Sequence, residues 1–446
     1  MKFNKEKVLN LNKTFNMFTT MCEVKDNLQG CLSDYSISVK DAICVKGVES
    51  TAGSAILKGY KPLFDATVVE KIRLAGGTIV AKSSQDEFGF GTFCTNIGQG
   101  LKIPKNPLDD SRVTGGSSGG AASAVALIDK HIAVAESTGG SIVTPASFCG
   151  VVGLCPTYGR VSRNGLISYG ASLDKIGVMS RKVYESALLL EVISGYDERE
   201  ETSSSKKVPK FTKNVIKTKE ELRFINGKKI AVLNVDGVDL EVKSVFDSVI
   251  DKLKNFGCEV KVLTMPFTEK YALAAYYIIA MSEASTHLSC LCGIRYGATL
   301  PLEGNFDEYF TKVRTTYFNN ETKRRILLGT FARMSGYRGQ YYVKALKVRT
   351  KIIEEYKQIF SDFDVIMTPT TPSIAPKFEE IEKLSPAQEY ALDFLTVGPN
   401  IAGIPHITVP VGRNKDNNMP MGLMVIGNHF EEEKIIEFAS AIEVLR

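Results

Sequence analysis

The chain has 446 residues, of which 44% are hydrophobic and 24% charged, proportions typical of a globular protein with a substantial core. Its formal net charge of +5 is mild for this length and gives no argument by itself for nucleic-acid binding. No stretch approaches about 18 consecutive apolar residues, so no membrane span is expected, and the polar first residues are unlike a signal peptide. Nine scattered cysteines, an odd number, favour reduced thiols and a cytoplasmic location.

The first half of the chain alternates between strand-like and helix-like segments. Residues 36–44, SISVKDAIC, predict a strand. The run DATVVEKIRLAGG at 65–77 predicts an amphipathic helix that Asp65 or Thr67 caps and two glycines end. A buried strand is predicted directly after it, over TIVAKSS at 78–84.

The same alternation continues downstream. Residues 118–128 predict a helix rich in small residues, and HIAVAEST at 131–138 predicts the strand that follows. Another unit of strand, helix and strand covers 228–235, 240–257 and 258–265. The chain is therefore predicted to be α/β, with a large and mixed central sheet.

One domain is expected over residues 1–446, because large α/β units can run long and no internal repeat divides the chain. Three segments have a distinct character within it. Residues 1–30 are expected to form an N-terminal helical arm, and the Ser- and Lys-rich residues 200–222 an exposed polar excursion. Residues 271–353 carry many aromatic and apolar side chains and predict a helical layer packed on the sheet.

The most informative stretch is residues 113–147, in which Ser117 and Ser141 each follow a Gly-Gly pair, 24 residues apart. Glycines allow successive backbone N–H groups to point at one place, which suits the oxyanion of a tetrahedral intermediate. Ser141 is the candidate nucleophile, but a hydroxyl needs a proton acceptor and neither motif contains a histidine. Ser117 could pass the proton to Lys40, provided that this lysine is neutral, a state that burial favours in lysines.

Other interpretations of these residues are available from the sequence. Gly-Ser runs are common in linkers, and GGSSGG at 115–120 could cradle a phosphate at a helix N-terminus, although it lacks the lysine of a P-loop. Lys40 taken alone is more often a solvated lysine. Cys290 and Cys292, with His287 nearby, have poor spacing for zinc and are better explained as core thiols.

The chain resembles the amidase signature family over nearly its whole length, through VKD at 39–41, GGSSGG at 115–120, TGGSI at 138–142 and PASFCGVVGLCPTYGRVSRNGL at 145–166. The resemblance implies the family's fold, a central mixed sheet surrounded by helices, and its Ser–cis-Ser–Lys triad. At the matching positions Ser141 would be the nucleophile, Ser117 the bridging serine after a cis peptide bond, and Lys40 the base. Four backbone N–H groups would form the oxyanion hole, those of Thr138, Gly139, Gly140 and Ser141.

Further stretches resemble the glutamine-hydrolysing component of tRNA-dependent amidotransferases, the GatCAB complexes: GIRYG at 293–297, KRRILLGTF at 323–331, SGYRGQYYVKALKVRT at 335–350, PTTP at 369–372 and DFLTVGPNIAGIPHITVPVG at 393–412. This resemblance implies a glutaminase that supplies ammonia to a GatB-like transamidase subunit, and a small GatC-like subunit would be the second partner. The GatB-like subunit would amidate misacylated Glu-tRNA(Gln) or Asp-tRNA(Asn) with ATP and Mg²⁺. No metal or organic cofactor is implied for this chain itself.

Free glutamine carries a carboxylate and an ammonium on its α-carbon, so its site needs one fixed positive and one fixed negative group. Arg325 matches the family's carboxylate-binding arginine, and its planar fork suits bidentate pairing. Asp393 matches the residue that binds the ammonium. Tyr276 matches a substrate-contacting tyrosine, although Tyr277 could be the equivalent. Without the resemblance, Arg325 would be read as a surface charge and Asp393 as a helix cap.

The nucleophile loop departs from the family pattern at two positions. The family often has an Asp before TGGS and an Arg after GGSI, and their charge interaction supports the loop. Ser137 and Val143 stand at these positions here, and Glu136 could compensate. The segment before Lys40 is also shorter than is common in the family.

Two other functions compete with the glutaminase. A stand-alone amidase for another small amide shares the triad, but it gains nothing from Arg325 and Asp393. An RNA-binding scaffold is favoured only by the Lys-rich residues 206–229, which lack the interleaved aromatic residues that stack on bases.

Overall fold

The computed structural model, which describes residues 4–26 and 28–446, is built around one mixed sheet. Its strands are β1 (Phe18–Val24), β2 (Ser36–Lys40), β3 (Thr78–Ser83), β4 (His131–Ser137), β5 (Val152–Cys155), β6 (Lys175–Ser180), β7 (Lys229–Leu233), β8 (Glu259–Leu263), β9 (Val365–Pro369), β10 (His406–Arg413) and β11 (Pro420–Ile426). In space they follow the order β1-β3-β2-β4-β6-β5-β10-β11-β9-β7-β8.

Parallel pairing is concentrated in two parts of this sheet. Near one end β2 lies parallel to both β3 and β4, and near the other end β7 lies parallel to both β8 and β9. The strands from β4 to β9 pair antiparallel, and so does β1 with β3. The predicted mixed α/β sheet is confirmed.

Helices cover both faces of the sheet: α1 (Lys5–Phe15), α2 (Thr67–Leu74), α3 (Gly119–Leu127), α4 (Val143–Cys149), α5 (Val183–Ile193), α6 (Leu240–Asn255), α7 (Pro266–His287), α8 (Phe306–Tyr317), α9 (Asn320–Arg333), α10 (Lys344–Ile359), α11 (Phe378–Ile381), α12 (Pro386–Ala391), α13 (Val397–Ile401) and α14 (Glu432–Leu445). The alternating side chains of β4 show the two cores. Ile132 and Val134 join the core beneath α2, α5, α6 and α14, whereas Ala133 and Ala135 face α3 and α4. These alanines allow α3 and α4 to lie close to the sheet.

The N-terminal segment differs from the predicted helical arm. Asn4 caps α1, its side chain accepting a hydrogen bond from the Lys7 backbone N–H at 3.0 Å. The chain then returns as β1, which pairs antiparallel with β3 at the edge of the sheet. Burial of Phe18 against Val80 and Val8 explains the strand, because a helical arm would leave these apolar side chains in water.

The capping predicted for the second helix is wrong. α2 begins at Thr67, and its N-cap is Ala66, which provides no capping side chain. The Asp65 carboxylate instead accepts a hydrogen bond from the Lys46 backbone N–H at 2.7 Å and pairs with Arg73. Competing partners on other segments therefore took the side chain that the local sequence assigned to the helix.

The two other distinct segments have clear structural roles. Residues 200–222 carry many exposed polar side chains, but Phe211, Val215 and Ile216 are buried against the main core and fasten the segment to it. Residues 271–353 contain most of α7 and α10 and all of α8 and α9, a layer in which α7 packs against both α9 and α10. No helix within the described ranges is long and apolar enough to cross a membrane.

The two cysteines expected in the core lie elsewhere. Cys290 is exposed and Cys292 is half-buried, because both follow the end of α7 in a turn near the surface. Among the residues that the structure describes, no group of three or more His, Cys, Asp and Glu side chains could hold a metal ion.

Candidate active site

The sheet brings the three candidate catalytic residues to one edge. Lys40 is the last residue of β2, Ser117 lies just before α3, and Ser141 lies in the turn between β4 and α4. Because β2 and β4 are parallel neighbours, their carboxyl ends meet at the same edge of the sheet. Lys40 and the turn after β4 therefore lie side by side, although they are about 100 residues apart in sequence.

The Lys40 ammonium group is buried and surrounded by three oxygen atoms. Its Nζ lies 2.7 Å from Ser117 Oγ, 2.9 Å from the Glu136 carbonyl oxygen and 2.9 Å from Glu136 Oε2. The Lys40 and Ser117 side chains are fully buried, and the peptide bond between Gly116 and Ser117 is cis. The structure thus joins two of the three predicted triad residues by a direct hydrogen bond and adds a carboxylate beside them.

Ser141 faces a small, enclosed cavity of about 240 Å³. Its side chain forms no hydrogen bond with any residue of the described ranges, and 6% of the residue is exposed. The cavity is lined by Gly89, Gly91, Gly116, Gly140, Ser141, Tyr276, Tyr277, Arg325 and Asp393. All the predicted substrate-binding residues thus lie around the candidate nucleophile, and Gly116 adjoins the bridging serine.

The loop before Ser141 leaves several backbone donors unoccupied. The N–H groups of Gly139, Gly140 and Ser141 have no acceptor among the described residues, so they are available to a developing oxyanion. Both glycines are required by close packing. A Cβ atom on Gly139 would lie 2.7 Å from Tyr276 Oη, and one on Gly140 would lie 2.5 Å from Thr396 Oγ1.

Thr138, the first residue of the predicted oxyanion hole, places its side chain on the other side of the loop. Its hydroxyl lies 2.8 Å from Glu136 Oε1 and 2.9 Å from Asp174 Oδ1. Burial, followed by the charge of Glu136, raises the pKa of Asp174 to about 7. Thr138 therefore links the loop to two buried carboxyl groups, one of which also binds Lys40.

An amide side chain supports the loop where a charge pair was expected. Asn400 Nδ2 donates hydrogen bonds to the Gly139 carbonyl oxygen and, at 3.1 Å, to Ser137 Oγ. Ser137 Oγ itself donates to the Gly139 carbonyl oxygen at 3.0 Å. Val143 is buried in the apolar core of the helical layer. Neutral hydrogen bonds and apolar packing thus hold this loop, and Glu136 faces Lys40 instead.

Arg325 lies on α9 and is not the surface charge that its sequence context would suggest. Its Nε donates to Glu321 Oε1 at 2.7 Å, and one terminal nitrogen donates to Tyr169 Oη at 2.7 Å. The guanidinium carbon lies 5.2–5.8 Å from the ring centres of four aromatic residues: Phe90, Tyr169, Tyr277 and Tyr390. Its other terminal nitrogen forms no hydrogen bond to a described residue, so the side chain is oriented and can still bind an anion.

Asp393 supplies the negative group on the same cavity. Tyr277 Oη donates to its Oδ2 at 2.6 Å, and Thr92 Oγ1 donates to the same oxygen at 3.1 Å. Burial raises the pKa of Asp393 to about 6, although these two hydrogen bonds and the charge of Arg325 oppose the rise. The carboxylate is therefore ionised above that pH and can accept a hydrogen bond from an ammonium.

Both tyrosines that the sequence left as alternatives line the cavity, in different roles. Tyr276 packs against Gly139 in the nucleophile loop, and Tyr277 binds Asp393. Sequence reasoning missed Thr92 and Tyr169 as parts of the site. Thr92 could have been sought in QDEFGFGTF at 85–93, the polar and glycine-rich stretch that follows a buried strand.

Comparison with known proteins agrees with this geometry. The family model described as Amidase matches residues 20–436. The chain is 45% identical to the A subunit of glutamyl-tRNA(Gln) amidotransferase from Methanospirillum hungatei over 428 residues, 95% of each chain. It is 44% identical to the protein of the same name from Streptococcus sanguinis, covering 94% of this chain and 83% of that one. The crystal structure of the Thermotoga maritima protein of that name superposes with a TM-score of 0.80 at 35% identity, covering 98% of this chain and 89% of that one. The chain belongs to the amidase family.

Proposed function

We propose that this chain is the glutamine-hydrolysing A subunit of a Glu-tRNA(Gln) amidotransferase. The observation that carries the proposal is the cavity in which Arg325 and Asp393 lie together with Ser141. An α-amino acid has one anionic and one cationic group to bind, and a buried arginine and a buried aspartate are the matching pair. A simple aliphatic amide has no partner for either side chain. Two relatives of high identity carry the corresponding name, which agrees with this substrate.

Acylation begins when Ser141 Oγ attacks the side-chain amide carbon of glutamine. The Ser141 proton passes to Ser117 Oγ while the Ser117 proton passes to a neutral Lys40, at 2.7 Å. The backbone N–H groups of Gly139, Gly140 and Ser141 bind the oxyanion that forms. The proton returns along the relay to the amide nitrogen, the carbon–nitrogen bond breaks, and ammonia leaves a γ-glutamyl ester on Ser141.

Deacylation repeats the same steps with water as the nucleophile. A water molecule gives its proton to the relay, attacks the ester, and the relay returns the proton to Ser141 Oγ as glutamate leaves. The overall reaction converts glutamine and water into glutamate and ammonia. The side chains and backbone donors of the site account for every proton, so no metal or organic cofactor is proposed for this chain.

The ammonia would be used by a partner. We propose that a GatB-like subunit takes it up in the cytoplasm and amidates misacylated Glu-tRNA(Gln), or Asp-tRNA(Asn), with ATP and Mg²⁺, in a complex that includes a small GatC-like subunit. The dedicated glutamine site is the reason to expect such a consumer, because free ammonia alone would not justify a substrate held at both charged groups.

Reconstitution with the two partner subunits tests the proposal. With ATP, Mg²⁺ and Glu-tRNA(Gln), the wild-type complex should form Gln-tRNA(Gln) from either glutamine or an ammonium salt. The Ser141→Ala complex should keep the ammonium-dependent reaction and lose the glutamine-dependent one. Glutamine-dependent amidation that survives Ser141→Ala would overturn the proposal. Hydrolysis of a simple aliphatic amide with no glutaminase under any condition would instead assign a stand-alone amidase.

A further inference from the structure

Glu136 is the carboxylate closest to the proton relay, and the mechanism above does not use it. The residue lies near the end of β4, and its side chain is 4% exposed. Its carbonyl oxygen and its Oε2 both accept hydrogen bonds from Lys40 Nζ, each at 2.9 Å. A carboxylate buried to this extent is costly unless it has a partner, and Lys40 is the partner it has.

We infer that Glu136 is a positioning residue that orients the lysine base of the relay and stabilises its protonated form. A neutral Lys40 amine has two N–H groups and one lone pair. If the two N–H groups bind the two Glu136 oxygens, the lone pair points at the third neighbour, Ser117 Oγ, from which the proton comes. Once Lys40 has accepted that proton, all three N–H groups have an acceptor, and the adjacent carboxylate balances the new positive charge.

Other ionisable groups around this pair do not replace Glu136. Asp174, before β6, contacts it through Thr138, and its own pKa is raised to about 7. Asp86 is buried beside the relay, where burial raises its pKa to about 7, but its oxygens accept hydrogen bonds from the Cys94 and Asn96 backbone N–H groups. The buried thiols of Cys94 and Cys155 have raised pKa values because of their burial. Glu136 is thus the carboxylate that binds Lys40 directly.

The inference gives a pH signature. The relay works only after Lys40 has lost a proton, and the negative charge of Glu136 holds that proton on it. Glu136→Gln keeps the shape and an acceptor oxygen but removes the charge. The acidic limb of the pH–rate profile should therefore move to lower pH, by about 1 unit. The plateau rate should fall by about 10-fold or more, because the ammonium that forms during reaction loses its counter-charge.

Although the inference rests on the proposed serine mechanism, the test needs no glutamine. Phenylmethanesulfonyl fluoride forms a bond from Ser141 Oγ to sulfur as the sulfur–fluorine bond breaks; fluoride leaves and the serine proton enters the relay. The rate of labelling, followed by mass spectrometry between pH 5 and 10 (about the range set by ordinary side-chain pKa values), reports the relay alone. Glu136→Asp, which keeps the charge, should restore the position of the acidic limb.

A matched control separates this role from a structural one. Glu432→Gln removes another fully buried carboxylate, which binds Arg160 at 3.1 Å outside the site, and should leave the labelling profile unchanged. A Glu136→Gln profile with its acidic limb at the wild-type pH would overturn the inference, even if glutamine is hydrolysed. Absence of Ser141 labelling in the wild-type protein at every pH would overturn it together with the serine mechanism. Labelling with the expected shift but without glutaminase would support it and contradict only the proposed substrate.

Discussion

Tyr277 donates a hydrogen bond to the Asp393 carboxylate at 2.6 Å, on the wall of the cavity that Ser141 faces. The ring of Tyr277 also stacks on Tyr390, with centroids 4.3 Å apart, and lies 5.4 Å from the Arg325 guanidinium carbon. One tyrosine therefore contacts both charged groups of the proposed glutamine site. It keeps their relative positions fixed and favours the ionised form of the aspartate.

The first prediction concerns the pH dependence of glutamine binding. Asp393 must be ionised to bind an ammonium, and its pKa is about 6, so KM for glutamine should rise as the pH falls through that value. Tyr277→Phe removes a hydrogen bond that lowers this pKa and should move the rise to higher pH. Steady-state kinetics between pH 5 and 8 measure both effects. In Asp393→Asn, KM should be high and flat; a wild-type pH dependence in that variant would contradict the assignment.

The second prediction separates recognition of glutamine from catalysis at Arg325. Arg325→Ala should raise KM for glutamine by about 10- to 100-fold, the cost of losing a hydrogen bond to a charged group. Arg325→Lys should recover only part of this loss, because a point charge cannot reproduce the planar fork. Circular dichroism checks that each variant folds, and a simple aliphatic amide serves as the control substrate. An unchanged KM for glutamine would contradict this role.

The third prediction concerns stability at the buried pair of Lys40 and Glu136. Lys40→Met leaves the Glu136 carboxylate buried without its partner and should lower the free energy of unfolding by about 3–5 kcal/mol. Lys40→Met combined with Glu136→Gln removes both charges and should recover most of that loss while remaining inactive. Urea denaturation measures the three proteins. A double variant less stable than Lys40→Met would show that the pair does not interact as the geometry indicates.

The fourth prediction tests the packing of the oxyanion loop. Gly139→Ala places a Cβ atom 2.7 Å from Tyr276 Oη and 2.8 Å from its Cζ, so the loop or the ring must move. Displacement of one oxyanion donor should lower kcat by about 100-fold or more. Gly339→Ala, at a position where a Cβ meets nothing within 4 Å, is the matched control and should retain activity. Equal kcat values for the two variants would exclude a tight oxyanion loop at this position.

The sequence predicted the parts of the molecule that short-range patterns determine. Alternating strand and helix patterns indicated the mixed sheet, and the Gly-Gly-Ser repeats with the family resemblance indicated Lys40, Ser117 and Ser141. The structure places these residues at one edge of the sheet, because β2 and β4 are parallel neighbours.

Contacts between distant segments could not be predicted in the same way. Glu136 and Lys40 are 96 residues apart, and nothing in the local pattern around either residue shows that the carboxylate faces the lysine. Asp65 looked like a helix cap from its position, but Lys46 and Arg73 bind its carboxylate. β1 was hidden because its pairing partner, β3, lies more than 50 residues away in the chain. In each case the partner that decides the outcome is supplied by the fold.

The identity of the nucleophile is the central claim, and trapping the acyl-enzyme tests it most directly. The protein, with its partner subunits, would be mixed with glutamine, quenched in acid during turnover, digested and analysed by tandem mass spectrometry. We predict one γ-glutamyl group esterified to Ser141, and neither this adduct nor glutamate release from the Ser141→Ala variant. A γ-glutamyl group on another residue, or glutamate release at the wild-type rate by Ser141→Ala, would contradict the account.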